Sequence, residues 1–172
     1  GLNNSMVMHL EKLAQEIQER IALQKGDLVI DIGSNDGTLL SCYPENGPNY
    51  MGIDPSGKKF AKYYPKHCKL IPDFFSKEIF EKHFGNRKAR VITSIAMYYD
   101  LPDPMGFMQD IHDCLDNNGV WVVEMSYMPS MVERLSYDTI CHEHYEYYGL
   151  RQIYWMARRV GFHILNVSFN DA

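Results

Sequence analysis

Residues 27–40 read DLVIDIGSNDGTLL. The run 27–31 is apolar and rich in β-branched residues, which predicts a short buried strand. DGTLLSCY (36–43) reads as the helix that follows it. Between them, Gly33 and Gly37 allow a tight turn and a close approach of the backbone to a ligand, and Asn35 tolerates a positive φ. The unit is therefore strand, tight loop, helix.

The same unit repeats outward from this stretch. Further strands are predicted at 49–54 (NYMGID), 68–72 (CKLIP), 89–96 (ARVITSIA), 120–126 (VWVVEMS) and 162–169 (FHILNVSF). Helical segments separate them, including SGKKFAKYY before Pro65, SKEIFEKHF, DPMGFMQDIHDCL with Pro104 in its first turn, PSMVERLS, and the amphipathic LRQIYWMARRVG closed by Gly161. DNNG (116–119) reads as the turn into the fifth strand. Strands that are apolar throughout are covered on both faces, so the fold class is α/β, a Rossmann-like, doubly wound and mainly parallel sheet. Residues 1–26 form a helical lead-in, with Leu10, Leu13, Ile17 and Ile21 on one stripe and Ser5 or Asn4 as cap. Residues 27–172 form the ligand-binding domain.

Composition bounds the function. The 172 residues suffice for one domain, and the net charge of −5 with no basic run argues against nucleic acid or an anionic membrane as main partner. No apolar run approaches a membrane span. The four cysteines form no C-x-x-C pair, which fits a reducing, cytoplasmic setting.

Ligands of such sheets bind outside the carboxyl ends of the strands. Asp54 ends the second strand 21 residues beyond Gly33, where an acid can accept both hydrogen bonds of a ribose diol. A dinucleotide fingerprint would need glycines where Asn35 and Thr38 stand, and no Walker loop exists. The pattern is Asp31-x-Gly33-x-Asn35-x-Gly37. A carboxylate at Asp31 repels a pyrophosphate and suits a cation carrying an ammonium and a sulfonium.

VIDIGSNDGTLL with GIDPS resembles the S-adenosylmethionine loop and ribose strand of class I methyltransferases, with Asn35 in place of the usual central glycine. MYYDLPDP, GVWVVEMSYMPSM and YDTICHEHYEYYGLRQI further resemble the nucleotide-sugar C-methyltransferases that act on 4-keto deoxysugars. The resemblance covers about residues 27–169 and implies S-adenosylmethionine as cofactor, S-adenosylhomocysteine as product and a nucleotide sugar as acceptor. It implies that Gly33, Ser34, Asn35 and Gly37 line the methionine portion, that Asp54, followed by Pro55, holds the ribose, and that Phe74, Phe75, Ser94, Ile95, Ala96 and Met97 border the adenine. His144 would be the base and Glu143 its helper. Relatives carry a zinc-binding module in front and a substrate domain behind, and some have Tyr where Cys141 stands. The expectation is the cofactor domain of a longer protein, without the final antiparallel strand.

DTICHEHYEYYG (138–149) gathers the candidate catalytic residues His142, Glu143, His144 and Tyr148. Methylation at carbon requires removal of a proton beside a ketone, and imidazole titrates near the working pH. Tyr145, Tyr147 and Tyr148 could bind sugar hydroxyls or an enolate oxygen. Three alternatives stay open: His142 and His144 as metal ligands of an O-methyltransferase, a structural role for the whole stretch, and a module that binds S-adenosylmethionine without catalysis. The expected metal is none, and His9, His67, His83, His112 and His163 read as surface or helix-face residues. Neither the acceptor atom nor the oligomeric state is legible.

Overall fold

The computed structural model describes residues 3–170. Five parallel strands, β1 (Leu28–Ile32), β2 (Asn49–Ile53), β3 (Cys68–Ile71), β4 (Ala89–Ile95) and β5 (Leu115–Glu124), form one sheet in the order β3-β2-β1-β4-β5. The order reverses beside β1, so a crevice opens outside the carboxyl ends of β1 and β4. Every residue of β1 is buried.

Helices cover both faces. On one, α4 (Lys77–Phe84) and α5 (Pro104–Cys114) pack Phe80, Phe84 and Ile111 against Leu28, Ile30, Ile53 and Ile92. On the other, α1 (Asn4–Arg20) and α2 (Thr38–Ser41) pack Leu10, Ala14, Ile17, Leu39 and Leu40 against Val29, Tyr50 and Val91. The expected lead-in is thus a layer of the same core. Its cap is Asn3, whose side chain accepts the Met6 N–H at 2.9 Å, not Ser5 or Asn4. The second predicted helix is shorter than its sequence suggests: α3 spans Gly57–Phe60, then a 3-10 turn, Ala61–Tyr63. Beyond β5 come α6 (Met128–Arg134) and α7 (Leu150–Val160), the latter packing Met156 and Ala157 against Tyr98, Met108 and Tyr148.

Two further sequence expectations fail. DNNG does not precede β5 as a turn. It lies inside the strand, where the register slips between the pairs Ala89–Leu115 and Val91–Val120. The predicted sixth strand at 162–169 is absent. Gly161 caps α7 at φ 107° and Phe162 packs on Trp121 at 5.6 Å between ring centroids. The chain then runs on without ladder partners, with Leu165 80% and Phe169 70% exposed, and β5 is the sheet's edge among the described residues. Apolar character without a neighbouring strand's N–H and C=O groups does not make a strand.

Candidate active site

The loop after β1 is built as its glycines require. Gly33, Asn35 and Gly37 have φ of 70°, 50° and 77°. Asp54 braces it: Oδ2 accepts the Asn35 N–H at 2.8 Å, and Oδ1 accepts the Ser56 N–H and hydroxyl, each at 2.7 Å. Oδ1 thus already takes two donors, and Oδ2 keeps one lone pair for a ribose hydroxyl. Gly33, Asn35 and Pro55 are exposed, while Ser34 and Asp54 are buried.

Asp31 is 4% exposed, and Thr93 Oγ1 donates to its Oδ1 at 2.6 Å. Burial pushes its carboxyl up to about 7; the Thr93 bond pulls down and Asp54 pushes up further. Two neighbouring carboxylates thus face the loop, and a cation placed there would ionise Asp31.

Two residues of this site, Gly52 and Tyr64, carry no signal in the local sequence. The Tyr64 hydroxyl donates to Ser34 Oγ, and both oxygens occupy the space into which any side chain at Gly52 would project. The Tyr64 ring lies against Gly37, and its hydroxyl is pushed upward by burial and by the charges of Asp31 and Asp54. Only a residue without Cβ leaves room for this contact.

The expected adenine border divides. Phe74 is 74% exposed at the end of β3, whereas Phe75 packs edge-on against Phe107 at 5.4 Å. Ser94 is fully buried and its hydroxyl accepts the Trp121 indole N–H at 2.9 Å, so it presents nothing to the crevice. Ile95 is half-buried and packs on the α1 face. Ala96 is exposed, with φ of 53° and its N–H on the Glu124 carbonyl at 2.9 Å. Met97 lies over Gly33, where a Cβ would meet its side chain at 3.4 Å.

The histidine cluster is not one site. His142 and Glu143 point to solvent, 3.5 Å apart with side chains 91% and 66% exposed. Glu143 therefore sits on His142, not on His144 as expected. The two histidines do not converge, and among the described residues no three His, Cys, Asp or Glu side chains form a metal-binding group. His144 turns inward. Its Nδ1 lies 2.7 Å from the Thr139 carbonyl, an acceptor only, so Nδ1 carries the hydrogen and Nε2 is left for proton transfer. Its ring packs on Tyr99 at 4.4 Å between centroids, and the Tyr99 carbonyl accepts the N–H groups of Tyr145 and Glu146 at 3.0 and 3.2 Å. The turn after β4 thereby holds the loop, three residues from Ala96. Tyr148 is buried against Tyr98, Met108 and Met156 with its hydroxyl unpartnered, a packing position. Tyr147 donates to the Thr139 carbonyl at 3.2 Å, and Tyr145 is exposed.

His9, expected to be a surface residue, is also drawn in: its Nε2 lies 2.7 Å from Glu124 Oε2, fastening α1 to the end of β5. A groove of about 410 Å³ lined by Glu146, Tyr148, Arg151 and Trp155 adjoins the loop. A smaller hollow of about 90 Å³, lined by Phe80, Arg87 and Cys114, lies at the opposite end of the sheet, away from these groups.

A family profile described as a methyltransferase domain matches residues 6–167. The chain belongs to the methyltransferase-domain family. This bears out the expected methyltransferase fold class. The methyltransferase domain is 28% identical over 168 residues to the C-methyltransferase NovU of Streptomyces niveus, covering 97% of this chain and 40% of that protein. It thus spans well under half of that curated relative. A chain of the complex between the Haloferax volcanii Trm112 methyltransferase activator and a methyltransferase aligns with TM-score 0.71 at 17% identity, over 95% of this chain and 75% of that one. The plantazolicin methyltransferase BpumL in complex with SAH aligns with TM-score 0.65 at 16% identity, over 88% and 62%. At these identities the two structures speak for the fold. No helix among the described residues is long and apolar enough to cross a membrane.

Proposed function

We propose that this domain binds S-adenosylmethionine at the crevice beside β1 and serves methyl transfer to a carbon next to the ketone of a nucleotide-linked deoxysugar, with His144 as general base. The observation that carries the reading is the placement of His144: of the two histidines it is the one that faces inward, its ring packed on Tyr99 of the turn whose Met97 lies over Gly33. The likeness to a C-methyltransferase supports carbon as the acceptor atom.

The residues present fit the cofactor. Two adjoining carboxylates, Asp31 and Asp54, suit a ligand with an ammonium and a sulfonium and would repel phosphates. Gly33, Ser34, Asn35 and Gly37 would hold the methionine portion, Asp54 the ribose, and Phe74 and Ala96 the base. A solved protein of this fold carries SAH, the demethylated product.

S-adenosylmethionine supplies the electrophilic methyl group; the acceptor must supply the electron pair. His144 Nε2 takes the proton from the carbon beside the ketone, leaving the pair as an enolate. The Thr139 carbonyl keeps the tautomer that leaves Nε2 basic. The Tyr99 ring packs against the imidazole at a tilt of 54° and restricts its rotation. The four cysteines are free, which supports a cytoplasmic setting.

The test is transfer of labelled methyl from S-adenosylmethionine to a nucleotide-linked 4-keto deoxysugar, with loss of about 100-fold or more in His144→Ala at unchanged cofactor affinity. Binding of S-adenosylmethionine without transfer, in a longer protein that contains this domain, would leave a binding module and end the enzyme reading.

A further inference from the structure

The carboxylate that serves His144 is not the one beside it in the sequence. We propose that Asp100, on the turn after β4, is the positioning residue for His144, meeting the imidazolium that forms when Nε2 takes up the acceptor's proton. The inference rests on the reading of His144 as base and adds the group that makes that base effective.

Three observations converge on Asp100. Its Oδ1 is 3.9 Å from His144 Nε2, the nitrogen that the Thr139 bond leaves free. The same Oδ1 is buried and has no hydrogen-bond partner. A buried acceptor without a donor is costly, so such atoms are held for a function or for a partner that arrives later. Finally, the backbone holds Asp100 and His144 in one frame. The Asp100 N–H donates to the Met97 carbonyl at 3.1 Å, and the neighbouring Tyr99 carbonyl takes the N–H groups of Tyr145 and Glu146. The imidazole and the carboxylate therefore move together.

The separation is longer than a hydrogen bond and within reach of one after a small rotation, as base and orienting group often stand before substrate arrives. With Nε2 unprotonated, Oδ1 has nothing to accept. When Nε2 gains its proton, a cation and a donor appear together opposite the unpartnered oxygen. The proton comes from the acceptor carbon, the electron pair stays there, and the positive charge rests between the Thr139 carbonyl and Asp100.

Other charged groups surround the pair. Burial raises the Asp100 carboxyl, His144 lowers it, and Glu143 adds a smaller rise. Cys141 and Glu124, with His9 on Glu124, border Tyr99. None of these contacts a ring nitrogen of His144. Glu143 engages His142 in solvent.

The experiment compares Asp100→Asn, Glu143→Gln and His144→Ala in methyl transfer by the full-length protein, with cofactor affinity from calorimetry. Asp100→Asn is expected to lower kcat by about 10- to 100-fold with KM within about twofold, and to move the acid limb of the rate profile about one pH unit lower. Glu143→Gln should stay within about threefold of the parent. Asp100→Glu keeps the charge and should recover much of kcat. Should Asp100→Asn fail to fold, Asp100→Glu decides: retention of the parent's acid limb supports the assignment, and loss as deep as His144→Ala overturns it. Parental kcat and an unmoved acid limb in Asp100→Asn, beside an inactive His144→Ala, overturn Asp100 alone. An active His144→Ala removes the base reading itself.

Discussion

Asp54 Oδ2 accepts the backbone N–H of Asn35 at 2.8 Å, so the acid that ends β2 braces the loop that ends β1. The residue expected to hold a ribose is first a structural tie between two strands. Asp54→Ala should therefore act twice. Thermal unfolding should show a loss of roughly 1–3 kcal/mol from the orphaned N–H groups. Calorimetry should show S-adenosylmethionine binding weakened by about ten- to a hundredfold, the worth of charged hydrogen bonds to a diol. Unchanged affinity in a destabilised variant would leave only the brace.

If the proposed cation sits beside Asp31, cofactor affinity should depend on pH. Its carboxyl, at about 7, is protonated below that value in the free domain, and a bound cation expels the proton. Affinity should rise about tenfold per pH unit up to about pH 7 and then level off. Because the folded value lies above the ordinary one, the contribution of Asp31 to the stability of the free domain moves the opposite way, fullest below about pH 4 and lost as pH rises through about 7. Calorimetry at pH 6 in two buffers of different ionisation enthalpy should show proton release. A flat affinity between pH 5.5 and 8 would mean that the cation does not sit at Asp31.

Gly52 lies against the contact between Tyr64 and Ser34. Gly52→Ala places a methyl group against the Tyr64 and Ser34 oxygens and should cost about 1–3 kcal/mol, with a drop in S-adenosylmethionine affinity. Removing the obstructing oxygen in Gly52→Ala/Tyr64→Phe should restore part of the loss, and a double-mutant cycle measures how much. Additive costs would place the strain elsewhere.

Ala96 holds a left-handed conformation at the mouth of the crevice. Ala96→Gly relieves it and should stabilise the domain by about 0.5–1 kcal/mol, since the backbone penalty exceeds the added chain entropy. Urea unfolding reads the change in midpoint. A neutral result would mean that the bond from its N–H to the Glu124 carbonyl already offsets the strain.

Local pattern carried the fold. Five strands with near-continuous apolar character, Gly33 and Gly37 at their tight turn, and Gly161 behind α7 are short-range signals, and they stand where expected except that β5 begins at Leu115, inside the predicted turn. What the pattern missed depends on partners distant in the chain. The run 162–169 has the composition of a strand and no ladder to join. Tyr64 and His9 have ordinary neighbours in sequence and acquire their roles only when the fold sets them beside Ser34 and Glu124. Adjacency misled for Glu143, because successive residues of an open loop point apart. Asp100, 44 positions upstream of His144, faces it because the loop docks on the turn after β4.

The outer rim of β5 has a further effect, on how the domain behaves in bulk. Among the described residues the outer peptide groups of β5 have no ladder beside them, and Leu165 and Phe169 beyond α7 are bare, which together invite templated association between molecules. The domain by itself should clump as its concentration rises, and a lysine on that rim would keep it dispersed.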